Sequence, residues 1–209
     1  LSLHDALPIL IPVIGIFFFL LIGSPKLPKA RRARQREIDG VIGAATAGID
    51  TKVRTADWPS WLAGVVELNR TLTLLPALGG NEASLIDDYA AGIAAMAADI
   101  DTAKTFVHVE FYIVSFDSTT APFFTAMEAA VARGVTVRVL LDHVASVRAA
   151  NSKATFAELD RIGAKWSFML PVRPLKGEFQ RPDLRNHRKL VVVDGRVGYM
   201  GSQNLIDRT

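Results

Sequence analysis

The chain contains no cysteine. Disulfides and thiolate metal sites are therefore excluded, although compartment is not decided by this. Histidine is scarce as well. Only His4, His108, His143 and His187 occur, none at ligand spacing to another, so a His/Asp/Glu metal centre is not indicated and no cofactor is expected. There is no internal repeat and no low-complexity tract. Net charge is low too, at +3, and that small excess is local. Lys26, Lys29, Arg31, Arg32, Arg34 and Arg36 hold six of the 24 basic residues. From Glu37 onward there are 18 basic and 20 acidic residues, a net of −2. The basic character is a tail and not a broad nucleic-acid-binding surface.

Half of the residues are hydrophobic, enough for a substantial core in a chain of 209 residues. Part of that fraction lies in residues 6–22, a run without charge that includes Ile16-Phe17-Phe18-Phe19-Leu20-Leu21-Ile22. As a helix it would span about 26 Å, slightly short of a hydrocarbon core of about 30 Å. A signal peptide carries its cations before the apolar stretch, whereas here they follow it. A buried core helix needs no such cluster at its end. The pattern predicts a transmembrane helix over residues 6–23, with the remainder on the cytoplasmic side of the plasma membrane. The cations behind it either attract anionic lipid or only set topology. The first nine residues, LSLHDALPI, lack an initiating methionine and read as a non-native leader.

Further along, helices are expected over residues 31–47 and 58–75, a basic juxtamembrane and linker region spanning 24–75. Trp58 and Trp61 there suit either a membrane interface or a core. Residues 86–104, 121–133 and 153–162 also read as helical, with Gly134 and Gly163 as stops. Residues 106–115, 135–141 and 165–170 read as strands. Strands alternating with helices indicate an α/β layer with a largely parallel sheet over residues 76–209.

The most informative block is RNHRKLVVVDGRVGYMGSQN, residues 185–204. It holds His187, Lys189 and Asp194 as H-x-K-x4-D, then Gly201, Ser202 and Asn204 as G-S-x-N. Residues 190–193 form a β-branched apolar run, which favours a strand. Asp194-Gly195 signals a two-residue type I′ hairpin. With that turn Val193 faces Arg196, Lys189 faces Met200 and His187 faces Ser202. Alternation then gathers His187, Lys189, Ser202 and Asn204 on one face, while Asp194 sits in the turn and bonds nearby amides. Imidazole is a competent nucleophile or general acid near neutral pH. Lysine supplies a point charge for a phosphate oxygen, and fixed Ser and Asn groups suit charge developing on a phosphoryl group.

This block resembles the HKD motif of the phospholipase D superfamily. With DIDTAKTFVHVEFYIVSFD (99–117), ARGVTVRVLLDH (132–143) and MLPVRPLKGEFQRPDLRNHRK (169–189), the chain is similar to the N-terminal catalytic half of a bacterial, actinobacterial-type cardiolipin synthase. The resemblance runs from about residue 8 to the end and implies a phospholipase D-like mixed sheet flanked by helices. It also implies phosphatidyl transfer between two phosphatidylglycerols, through a phosphohistidine and without metal. The catalytic set becomes His187, Lys189 and Asp194, with Lys189, Ser202 and Asn204 at the phosphate. Which histidine attacks stays open. A second HKD half is expected outside this chain, which makes the fragment inactive alone. Such enzymes carry two N-terminal membrane helices, of which one is visible here. The alternatives are a membrane-anchored single-HKD phosphodiesterase or nuclease acting as a homodimer, and a non-catalytic membrane module. The lack of a basic surface disfavours a nucleic-acid substrate.

Other polar residues stay ambiguous. Glu110, with His108 on the same face, either orients a catalytic histidine or forms a rim salt bridge. Asp142 and His143 end a strand where sites in open sheets gather, but they also suit a helix cap. Arg173, Lys176, Arg181 and Arg185 either contact lipid headgroups or are solvated.

Overall fold

The computed structural model describes residues 16, 29–49, 58–173, 178–179 and 185–207. The chain divides into two compact units, Leu1–Ser84 and Leu85–Thr209. The leader and the apolar span of residues 6–23 lie outside the described residues, apart from Ile16. Among the described residues no helix is long and apolar enough to cross a membrane.

The first unit contains α1 (Lys29–Thr46) and α2 (Leu62–Thr73). The latter opens just after Pro59, whose carbonyl accepts from Leu62 N at 2.9 Å. Trp58 is half-buried, whereas Trp61 is exposed.

The second unit holds the core. Its elements in chain order are α3 (Tyr89–Asp101), β1 (Phe106–Phe111), α4 (Ala121–Ala132), β2 (Thr136–Asp142), α5 (His143–Arg148), α6 (Ser152–Arg161), β3 (Lys165–Met169), β4 (Val172–Arg173), β5 (Glu178–Phe179), β6 (Lys189–Val193) and β7 (Val197–Met200). Local chemistry explains the helix ends. The Asp88 carboxylate accepts from Ala91 N at 2.7 Å and caps α3. Gly134, at φ +86°, lets the chain leave α4 in the left-handed region that a side chain resists.

The main sheet has the order β3-β2-β1-β6-β7. β1, β2 and β3 are parallel, joined by helical crossovers. β6 runs antiparallel to β1, and β7 antiparallel to β6. The sheet is therefore mixed. A short pair, β4-β5, stands apart from it. Alternation in β1 and β2 sends Val107, Val109, Phe111, Val137, Val139 and Leu141 to one face, where all are buried. They pack with Val191 and Val193 of β6 and with Ile93, Ile100, Phe123, Phe124 and Met127 of α3 and α4. The opposite face of the sheet presents His108, Arg138, Lys165 and Ser167, all exposed.

One expectation fails by a single residue. Val193 pairs with Val197 and Leu190 with Met200, so the hairpin turn holds three residues, Asp194, Gly195 and Arg196. Asp194 (φ +53°) and Gly195 (φ +67°) are both left-handed, and Arg196 N returns to Val193 O at 2.9 Å. The third turn residue is tied outside the hairpin, because the Arg196 guanidinium donates to Thr102 Oγ1 at 3.2 Å. A one-residue shift exchanges the two faces of a strand. Met200 thus lies opposite Leu190 and is 87% exposed, while Lys189 meets Gly201, whose amide donates to Lys189 O at 3.4 Å.

Candidate active site

The C-terminal end of β1 organises the site. β1 stops at Phe111, and the chain bends at Tyr112. The next residues gather three of the groups expected to act together. The His187 ring stacks on Tyr112, with centroids 4.0 Å apart and planes at 26°. The Lys189 ammonium lies 5.4 Å from the same ring centroid and donates to His187 O at 2.8 Å. Asn204 Oδ1 accepts from Ile113 N at 3.2 Å. His187, Lys189 and Asn204 are thus attached to two consecutive residues, Tyr112 and Ile113.

The convergence arises differently from the expected hairpin face. Regular β6-β7 pairing ends before Ser202 and Asn204. Beyond Gly201 the chain crosses to the end of β1, where Leu205 forms a parallel bridge with Val114. Ser115 N donates to Leu205 O at 2.7 Å, and Leu205 N to Ile113 O at 3.2 Å. The Tyr89 hydroxyl lies within hydrogen-bond distance of the carbonyls of Asn204 (2.8 Å) and Ile206 (2.7 Å), which share its single proton, and accepts from Ile206 N (3.0 Å). These bonds leave the Asn204 amide nitrogen without a partner among the described residues. Ser202 is exposed, and the shifted register removes it from the position opposite His187.

Residues 185–186 are held from beneath. Asp142 is fully buried. Its carboxylate accepts from Ala145 N at 3.1 Å, capping α5, and from Asn186 N at 3.3 Å. Arg185 approaches it at 3.5 Å in a buried ion pair and donates to Leu170 O at 3.1 Å. The cap reading of Asp142 is therefore correct, and the same carboxylate also positions the residue before His187. His143 accepts from Val172 N at 3.2 Å and packs edge-on against Phe168.

Glu110 touches this segment through other residues. Its Oε1 accepts from Asn186 Nδ2 at 2.5 Å and lies 3.8 Å from Arg188 Nη1. Strand alternation explains this, since Glu110 pairs with Leu190 while Phe111 pairs with Lys189. Glu110 therefore meets the even-numbered residues and not His187. His108 shares its face and contacts Arg138 at 3.1 Å. Burial, and then the Arg138 charge, lower its pKa.

Asp194 sits in the turn and bonds backbone amides, as its parity and the turn chemistry indicate. It lies five residues from Lys189 along an extended strand, roughly 17 Å away. Its carboxylate is occupied at the opposite end of β1. It accepts from Thr105 Oγ1 (2.6 Å) and from the amides of Lys104 (2.8 Å), Thr105 (2.9 Å) and Phe106 (2.9 Å). Those bonds hold its pKa well below the usual carboxylate range, the Thr105 hydroxyl contributing most. The motif's aspartate clasps the hairpin to the entry of β1.

Sequence reasoning passed over Tyr112, Asn186 and Tyr89. Asn186 had a visible signal, being polar and directly before His187. Tyr112 and Tyr89 had none, because both contacts depend on where β1 ends. Arg173 and Arg185 of the intervening loop are described, and Lys176 and Arg181 are not. Among the described residues no group of three or more His, Asp or Glu side chains could hold a metal ion. What remains is an exposed imidazole with both ring nitrogens free of protein partners among the described residues, an ammonium beside it, and an amide donor nearby. Such a set can attack or protonate at a phosphoryl centre and bind its oxygens.

Residues 96–209 match the family described as cardiolipin synthase, PLD-like domain. Cardiolipin synthase A of Pectobacterium carotovorum subsp. carotovorum is 26% identical over 220 residues, covering 95% of this chain and 41% of the relative. The corresponding enzyme of Edwardsiella ictaluri is 28% identical over 200 residues, with the same coverage. Cardiolipin synthase of Geobacillus kaustophilus is 25% identical, covering 94% of this chain and 39% of its own length. The chain thus spans about two fifths of these relatives. Among solved structures, NucT from Helicobacter pylori aligns with a TM-score of 0.43 at 17% identity, covering 56% of this chain and 68% of that one. Nuc from Salmonella typhimurium, a phospholipase D family member, aligns with a TM-score of 0.42 at 21% identity, covering 54% and 64%.

Proposed function

The chain belongs to the cardiolipin synthase, PLD-like domain family, and on that premise we propose that it is the first catalytic half of a phosphatidyltransferase. The substrate is phosphatidylglycerol, an anionic lipid that serves as both donor and acceptor. In the first step one histidine nitrogen forms a bond to phosphorus. The bond from phosphorus to the departing glycerol oxygen breaks, and a second histidine protonates that oxygen. In the second step the hydroxyl of another phosphatidylglycerol attacks the phosphohistidine and gives its proton to the second histidine. Cardiolipin leaves, and both histidines are restored. His187 is one member of this pair. Lys189 and Asn204 hold the phosphoryl oxygens. The other histidine comes from protein outside this chain, in keeping with the two fifths of the relatives' length that it spans.

The observation that carries this reading is the attachment of His187 and Asn204 to neighbouring residues, Tyr112 and Ile113, with Lys189 beside the same ring. The apolar run of residues 6–22, followed by six cations, supports a membrane anchor with the catalytic part on the cytoplasmic side. There the basic tail would meet anionic lipid.

The test is His187→Ala in the longer protein that contains this chain, supplied with phosphatidylglycerol vesicles. Cardiolipin formation is expected to be lost. Undiminished formation overturns the assignment. The 209-residue chain alone is expected to show no turnover. Turnover by a dimer of it would favour the single-motif phosphodiesterase instead.

A further inference from the structure

We propose that Tyr112 is a positioning residue that sets the imidazole of His187 and the ammonium of Lys189 in one fixed relation. This inference rests on the phosphatidyltransferase reading and adds a residue to it. His187 is exposed, and no group among the described residues hydrogen-bonds its ring. An exposed histidine otherwise samples several χ1 wells and a broad χ2. The contact found for its ring is the Tyr112 face, at 4.0 Å between centroids. The same face lies 5.4 Å from the Lys189 ammonium. One aromatic ring therefore lies against both the histidine and the lysine of the H-x-K element.

The backbone shows how this ring comes to be there. The antiparallel register of β1 and β6 pairs Phe111 with Lys189. Continued regularly, it would pair Tyr112 with Arg188 and turn the ring to the Glu110 face. The chain bends at Tyr112 instead, and the ring falls on the side of His187 and Lys189. The geometry suits the chemistry. Stacking occupies one face of the imidazole and leaves both nitrogens at its edge, where one can meet phosphorus. The negative ring face also attracts the ammonium, which places a phosphate ligand beside His187 before substrate arrives. The Tyr112 hydroxyl has no hydrogen-bond partner among the described residues, so the role belongs to the ring and not to the phenol proton.

Two variants separate these parts. Tyr112→Phe keeps the ring, and Tyr112→Leu removes it while retaining an apolar side chain. In the 209-residue chain, the ring protons of His187, assigned by their disappearance in His187→Gln, are expected upfield because of the Tyr112 ring current. They should stay there in Tyr112→Phe and move downfield in Tyr112→Leu. In the longer enzyme with phosphatidylglycerol vesicles, Tyr112→Phe is expected to turn over like the parent. Tyr112→Leu should lose about 10- to 100-fold in kcat, with KM and melting temperature little changed. Absence of the ring-current shift in the parent chain overturns the proposal, even if the Leu variant fails to fold. Full kcat in a folded Leu variant overturns it, and so does a Phe variant as impaired as the Leu variant. The magnetic resonance measurement needs no turnover. A parent enzyme that makes no cardiolipin would therefore refute the functional reading and leave the His187–Tyr112 stack testable.

Discussion

The Asp142 carboxylate accepts from Asn186 N at 3.3 Å, one residue before His187. This bond links the end of β2 to the motif, and the same carboxylate caps α5 through Ala145 N. A buried carboxylate is tolerated only when it is paired and hydrogen-bonded, and here Arg185 completes the set at 3.5 Å.

Asp142→Ala should therefore be among the more damaging single changes in this unit. It removes the carboxylate beside the Arg185 guanidinium, whose side chain is only 8% exposed and which keeps its bond to Leu170 O, and it removes the α5 cap. Breaking one side of a buried pair costs about 3–5 kcal/mol. Urea unfolding should show a loss of that order. A loss below about 1 kcal/mol would mean that water or another group takes over the Arg185 contact.

Asp194 should behave as a pH-linked clasp. Its folded-state pKa is depressed, first by the Thr105 hydroxyl and then by the amides of Phe106, Lys104 and Thr105. The unfolded chain, with an aspartate pKa of about 3.9, takes up the proton at higher pH than the folded chain does. The stability that Asp194 confers is therefore complete above roughly pH 5 and is lost as pH falls through and below that value. Asp194→Ala should unfold earlier than the parent at pH 7, and the gap should shrink toward pH 3. Thermal melts across that range check this. A constant gap would mean that the clasp does not depend on the carboxylate's charge.

These two carboxylates also show what the sequence made legible. The alternating helices and strands were readable because each carried its own period and stop. Tyr89–Asp101, Ala121–Ala132 and Ser152–Arg161 fall within or beside the expected helical stretches. Lys189 to Val193 was readable as a strand from its β-branched run. The hairpin register was not, because an Asp-Gly turn accommodates two or three residues. The choice was made by bonds to Thr102 and to residues 104–106, about ninety positions upstream. The same distance hid which amides Asp194 bonds, although its place in the turn was legible. His187, Lys189 and Asn204 were legible as motif members, yet their meeting point was not. It depends on β1 ending at Phe111 and on the bend at Tyr112, and no local pattern announces either.

Asn204 allows its two roles to be separated. Its Oδ1 accepts from Ile113 N at 3.2 Å, a structural bond, while its amide nitrogen is free of partners among the described residues and is the group proposed to reach phosphate. Asn204→Asp keeps an oxygen for Ile113 N and replaces the donor by a second oxygen, which repels a phosphoryl group. Asn204→Ala loses both functions. If the division is correct, the Asp variant should melt close to the parent, whereas the Ala variant should lose about 1 kcal/mol for the unpaired amide. Both should lose about 100- to 1,000-fold in turnover of phosphatidylglycerol in the longer enzyme, the usual consequence of removing one fixed donor to a developing oxyanion. The Asp variant is the decisive one. Near-parental turnover by it would show that the Asn204 amide nitrogen does not contact the reacting phosphate. The phosphate would then be held by Lys189 without it, and Asn204 would serve only to fasten the chain beyond β7 to the end of β1.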